Sequence, residues 1–184
     1  MRYSTTWLLD QLAHGQRVKY LFFWGNQPAR NGEVTKSCLS QWWLADFVVH
    51  GLTYRSAEQW MMAEKARLFN DVATLARILA VQSPAEAKKL GREVHGFDPL
   101  IWEAQKYAIV KTGNQHKFSQ NTDLRAFLLA TNDRVLVEAS PVDPIWGIGL
   151  AADAPHVENP EQWQGENLLG FALMEVRDKL TSSL

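Results

Sequence analysis

Between Ser56 and Ala130 the sequence offers one helix start after another and leaves little room for anything else. Ser56-Ala-Glu-Gln59 has the form of a capping box: Ser56 accepts from the backbone N–H of Gln59, whose side chain reaches back. A helix to about Phe69 is predicted. Asn70 or Asp71 caps a second, to about Ala80. Ser83-Pro84-Ala-Glu86 starts a third, with proline at the first helical position, where no amide donor is needed. Asp98-Pro99 starts a fourth, which Gly113 is expected to end. Asp123 to Ala130 makes a fifth.

The flanks supply only a little sheet. Ser4 to His14 reads as a short amphipathic helix closed by Gly15. Val18 to Trp24 is an apolar, aromatic run of strand character. Gln27 to Lys36 is a loop. Leu44 to Val49 and Leu52 to Tyr54 read as strands around a His50-Gly51 turn. Arg134 to Glu138 alternates like a short strand. Leu168 to Leu180 repeats apolar residues at 169, 173, 176 and 180, as an amphipathic helix does. The expected fold class is therefore predominantly α with minor β (α+β). The 184 residues show no repeat, low-complexity tract or linker, so one domain over residues 1–184 is expected.

Composition narrows the function classes. At 46% hydrophobic and 21% charged residues the chain can build its own core. Nineteen Lys+Arg oppose twenty Asp+Glu, a net charge of −1. A nucleic-acid coat would show a basic excess, although a local basic pocket for one phosphate stays open. The lone cysteine, Cys38, rules out an intrachain disulfide and Cys-based zinc sites, and is read as structural or incidental. A reducing cytoplasm is the expected compartment. Residues 1–10 do not resemble a secretory signal. No run approaches 18 apolar residues, so no membrane partner is expected.

Eight tryptophans stand at 7, 24, 42, 43, 60, 102, 146 and 163. Core packing is one reading. Several sit in loop-like segments beside glycine (Trp24-Gly25, Trp146-Gly147, Trp163-Gln164-Gly165), which suits a pocket for a flat ligand equally well. The Pro- and Gly-rich stretch 141–165 is too long for a mere connection and is expected to be functional.

Two constellations carry chemistry. Glu58, Met62, Lys65 and Phe69 share one helix face, with Glu58 and Lys65 roughly 10 Å apart along the axis. Such a carboxylate and ammonium are either pocket residues or a partly solvated edge. Burial of the face would favour the neutral forms of both, the states of a general acid and an amine nucleophile. Asp143 lies between Pro141 and Pro144, which stiffen it, while Gly147 and Gly149 would let a ligand approach the backbone. It is either a turn aspartate or, with Glu58, half of a two-carboxylate pair of the kind that cleaves glycosidic bonds. Arg92, Lys111 and Lys117 are candidates for a phosphate, the ordinary reading of each being a surface charge. The five histidines show no metal-ligand spacing, and phosphate-loop, dinucleotide and Gly-x-Ser-x-Gly motifs are absent.

Several segments, in order, resemble the NADAR family over about residues 20–181. They are Phe22-Phe-Trp-Gly25, Leu39-Ser-Gln-Trp42, Thr53-Tyr-Arg-Ser-Ala-Glu-Gln-Trp-Met-Met-Ala-Glu-Lys65, Ser83-Pro-Ala-Glu-Ala-Lys-Lys-Leu-Gly-Arg92, Trp102, Lys117-Phe118, Leu136 to Gly149, and Asn167-Leu-Leu-Gly170. The resemblance implies a mainly helical domain that hydrolyses N-glycosidic bonds without a metal or redox cofactor. The implied substrate is a small ribosylamino-pyrimidine phosphate of the early riboflavin route, cleaved to ribose 5-phosphate and a pyrimidine amine. This would clear a reactive intermediate before it does damage. Other members remove ADP-ribose from guanine bases, which is the alternative substrate. A silent module that binds ADP-ribose or a nucleotide, and a helical interaction protein, are the non-enzymatic alternatives.

Carried over by residue, the resemblance assigns catalysis to Glu58 and Asp143, with Lys65 the lysine that some members are proposed to use. Trp102, Trp146 and Trp42 are expected to stack on the flat base. Arg92 would hold the phosphate, and Asn167 would offer its cap and helix N-terminus to the same anion. Gly147 would lie against the ligand. The chain departs from many relatives at Asn26, where they carry histidine, and at Gln41, where they carry asparagine.

Overall fold

The computed structural model describes residues 1–182. In chain order the elements are α1 (Thr5–Ala13), β1 (Tyr20–Phe23), β2 (Phe47–Val49), β3 (Leu52–Tyr54), α2 (Ala57–Leu68), α3 (Val72–Ala80), α4 (Pro84–Gly91), α5 (Pro99–Gln120), α6 (Thr122–Leu129), β4 (Val135–Glu138) and α7 (Leu168–Thr181). Short 3-10 turns lie at Lys36–Leu39 and Pro160–Gln162. Among the described residues helices predominate over four short strands, the expected fold class. The chain forms two compact units, one of residues 41–125, the other of residues 1–40 together with residue 126 onward.

The 41–125 unit is built around α2. Ala57, Ala63 and Ala66 present little bulk, so neighbouring helices approach closely, and eight of the twelve residues of α2 are buried. It packs on α3, α4 and α5. Its start is capped as expected: Ser56 Oγ accepts from Gln59 N–H at 3.1 Å. The Gln59 side chain goes one residue further back than a capping box requires. Its Oε1 accepts from Arg55 N–H at 2.7 Å, and its Nε2 donates to the carbonyls of Ile78 and Val81. One amide thus caps α2 and satisfies the end of α3, whose last carbonyls would otherwise lack donors. Strands β2 and β3 form an antiparallel hairpin with Val49 opposite Leu52. His50 and Gly51 take φ of 50° and 78°, the two left-handed positions of a two-residue turn.

Gly113 does not end α5, which runs on to Gln120. The glycine is there for packing. A Cβ at 113 would lie 2.2 Å from Cδ1 of the Trp60 ring. That ring is buried and donates Nε1–H to the Ile109 carbonyl at 2.9 Å. Gly113→Ala is therefore expected to destabilise the protein by about 1–2 kcal/mol in urea unfolding. The overpacking costs ~2–3 kcal/mol, and alanine returns only ~1 kcal/mol of helix propensity. A midpoint at or above that of the wild type would show that Trp60 moves freely.

In the other unit β1 pairs with β4 in parallel, Tyr20 opposite Val135 and Phe23 opposite Glu138. The expected alternation in β4 is absent: Val135, Leu136 and Val137 are all buried. A parallel strand covered on both faces has no solvent side, and α7 packs on β4. Cys38 is wholly buried in the first 3-10 turn, consistent with its structural reading.

Candidate active site

Within the 41–125 unit α2 positions both chemical groups. Glu58 sits in its first turn, 3% exposed. The partial positive charge of a helix N-terminus suits a carboxylate there. Its backbone N–H donates to the Gln41 carbonyl at 2.9 Å, which fixes the segment leading to Trp42. Gln41 is buried too. Its Oε1 accepts from Asn114 Nδ2 of α5 at 2.8 Å, and its Nε2 faces Met61 Sδ at 3.6 Å. Trp42 is half-buried, with Lys88 Nζ of α4 5.7 Å from its ring centroid.

Two turns further along α2, Lys65 is half-buried. Its Nζ donates to the Gly91 carbonyl at the end of α4, at 2.8 Å. The same nitrogen lies 4.1 Å from the Phe97 ring centroid and 5.7 Å from that of Trp102. Burial holds the Lys65 amine below the ordinary lysine value. Gly91 brings the carbonyl in, because a Cβ there would lie 1.9 Å from Met62 Sδ and 3.2 Å from its Cβ. Trp102 is held by the start of α5, where Asp98 accepts from the N–H groups of Leu100 and Ile101.

The face is thus buried at Glu58 and Met62 and half-buried at Lys65 and Phe69. Of the phosphate candidates, Arg92 follows α4 and is exposed, and Lys111 is half-buried. The surface reading of Lys117 is corrected: it is wholly buried, on the inner stripe of α5 with Val110, Gly113 and Asn114.

The other unit gathers Asp143, Trp146, Gly147 and Asn167. Asp143 Oδ1 accepts from the N–H groups of Ile145 and Trp146 at 3.0 and 2.9 Å, closing its own turn. The loop is tied to the start of α7: Asn167 N–H donates to the Gly147 carbonyl and Leu169 N–H to the Trp146 carbonyl. Trp146 is half-buried and Gly147 buried. Asn167 is buried and left-handed, φ 55°, and its side chain makes no cap hydrogen bond. Its amide instead spans the edge of β4, donating to the Leu136 carbonyl and accepting from Glu138 N–H, each at 2.9 Å. Trp163 is a packing residue, its Nε1–H on the Val157 carbonyl and its ring against Tyr20. Trp24 is 56% exposed.

Sequence reasoning missed Phe97, the Gly91 carbonyl and Lys88. The first two acquire meaning only once α4 and α5 stand beside α2. Among the described residues no group of three or more His, Cys, Asp or Glu is placed to hold a metal ion. No described helix is long and apolar enough to cross a membrane.

Comparison with known proteins joins these features to one lineage. The family model of the NADAR domain matches residues 22–181. The chain is 44% identical to N-glycosidase R617 of Acanthamoeba polyphaga mimivirus, over 88% of this chain and 96% of that one. It is 34% identical to N-glycosidase YbiA of Escherichia coli K12, over 72% and 74%. The NMR structure of E. coli YbiA superposes with a TM-score of 0.73, at 27% identity, covering 91% of this chain and 88% of that one. The chain belongs to the NADAR family.

Proposed function

We propose that this protein is a cytoplasmic hydrolase of N-glycosyl bonds. Its substrate is a ribosylamino-pyrimidine phosphate of the early riboflavin route, and its product is ribose 5-phosphate. The observation that carries the reading is the Lys65 amine. It is half-buried, held by one carbonyl and flanked by two aromatic rings, on the helix whose first turn buries Glu58. Its relatives' names, N-glycosidase R617 and N-glycosidase YbiA, support the bond class.

A glycosylamine opens to an imine, and its anomeric carbon then accepts an amine. The lone pair of neutral Lys65 Nζ adds to that carbon. One proton passes from Nζ to the pyrimidine nitrogen and Glu58 gives that nitrogen a second, so that the bond to it breaks with release of the pyrimidine amine and a protonated lysine imine remains. Water hydrolyses the lysine imine, releasing ribose 5-phosphate and restoring the amine. Trp102 offers a face to the flat base. Arg92, exposed at the end of α4, is available to the phosphate. A closed-ring displacement would lean on Asp143 instead. Burial lowers the Lys65 value, which favours the covalent route because only the neutral amine has a lone pair to give.

The test is ribose 5-phosphate release from the ribosylamino-pyrimidine phosphate, with borohydride added in a parallel reaction. Release is expected, together with a sugar adduct on the wild type and no adduct on Lys65→Ala. The alkaline rise of kcat should sit below the pH at which an ordinary lysine loses its proton, since burial lowers the Lys65 value. Near-full turnover by Lys65→Ala would eliminate the covalent route and leave the Asp143 route. No release by the wild type would overturn this substrate in favour of ADP-ribosylated guanine.

A further inference from the structure

Phe97 is a costly residue where it stands. Its ring is 44% exposed in the segment between α4 and α5. A phenylalanine left half in water gives up much of the gain of burial, yet the segment is pinned so as to hold this ring in place. Asp71, the cap of α3, accepts from His95 N–H at 2.9 Å and lies 3.1 Å from His95 Nδ1. Gly96 supplies a left-handed residue, φ 69°, that turns the chain. Phe69, at the end of α2, meets the Phe97 ring edge-on at 5.4 Å. The ring so placed lies 4.1 Å from Lys65 Nζ, the nearer of the two aromatic faces.

We propose that Phe97 is a positioning residue for the Lys65 amine: its ring covers Nζ, and with the Gly91 carbonyl it holds the amine in one place beside Trp102. The inference rests on the reading of Lys65 as the nucleophile. A ring over an amine acts in two opposed ways. Its face attracts the ammonium form, and its bulk strips water from that form. Burial lowers the Lys65 value, and a ring 4.1 Å from Nζ is part of what buries it.

Several charged groups on the surrounding elements pair with one another rather than with Lys65. On α2, Glu64 pairs with Arg67, which also donates to Tyr54. Arg77 of α3 pairs with Glu93, and Asp71 with His95. Asp98 caps α5, and Glu103 pairs with Lys106. Glu58 lies two turns back on α2, Lys88 stands over Trp42, and Arg92 follows the Gly91 carbonyl.

The experiment compares wild type, Phe97→Ala, Phe97→Leu and Phe97→Trp, each checked for folding by circular dichroism. Lys65 is titrated by NMR of 13Cε-labelled lysine, its signal assigned by loss in Lys65→Ala. In parallel, kcat and KM are measured across pH. In Phe97→Ala, Lys65 should titrate closer to the ordinary lysine range. The rise of kcat should move to higher pH with it, and kcat at neutral pH should fall on the order of tenfold or more. KM should change little, and Phe97→Trp should restore both profiles. Phe97→Leu, which keeps apolar cover, should fall between. An unmoved Lys65 titration in both Phe97→Ala and Phe97→Leu would overturn the proposal. So would a moved titration with an unmoved rate profile. Failure of the parent reading has a separate signature: Lys65→Ala keeps turnover, whatever Phe97 does to the titration.

Discussion

Glu58→Gln is expected to lower kcat for ribose 5-phosphate release by about 10²–10⁴-fold while leaving the protein folded, the range for loss of a positioned general acid. The substitution keeps the side chain's shape and removes only the carboxyl proton donor. The surroundings are already set by the backbone: Glu58 N–H stays on the Gln41 carbonyl, and Ser56 still caps α2. A melting curve like that of the wild type should therefore accompany the lost rate. Full activity in Glu58→Gln would remove Glu58 from the chemistry.

Gly170→Ala should give the largest loss of stability. A Cβ at 170 would lie 2.1 Å from the Leu136 carbonyl oxygen and 2.6 Å from both ends of the Asn167 amide. Neither neighbour can yield. The carbonyl belongs to β4, a strand already paired with β1, and the amide is held by two hydrogen bonds to that strand. The start of α7 must lift away. Overpacking of this kind costs ~1–3 kcal/mol. Each Asn167 bond lost adds ~1 kcal/mol, against ~1 kcal/mol regained from helix propensity. The net expectation is about 3 kcal/mol, or roughly 10 °C in Tm for a chain of this size. Urea and thermal unfolding read it directly, and an unchanged midpoint would show that α7 does not depend on this close approach.

What was legible in the sequence was local. Ser56, Asp71 and Asp98 announced their helices because a cap acts on backbone groups two or three residues away. His50-Gly51 announced its turn for the same reason. Gly113 misled because a glycine that ends a helix and one that admits a neighbouring ring look alike in one dimension. Lys117 misled because a lysine on a helix is ordinarily solvated, and only the packing around α5 shows that this one is not. For the candidate site, the spacing of Glu58 and Lys65 put both on one face. Whether that face was wet or dry depended on α4 and α5. Phe97 had no signal of its own, since its role comes from a pinned connection and a lysine far earlier in the chain.

The parallel pairing of β1 with β4 bears on how the chain is made. β1 leaves the ribosome long before β4 exists, and everything from Trp24 to Arg134 must be synthesised in between. Until then Tyr20-Leu-Phe-Phe23 is an aromatic strand with unmet hydrogen bonds on both edges, the kind of segment that draws foreign strands. Residues 41–125 are contiguous, so every partner within that unit is made before β4 is. The vulnerable interval for this strand is therefore the stretch of synthesis before β4 emerges, and the pairing of β1 with β4 is what brings it to an end.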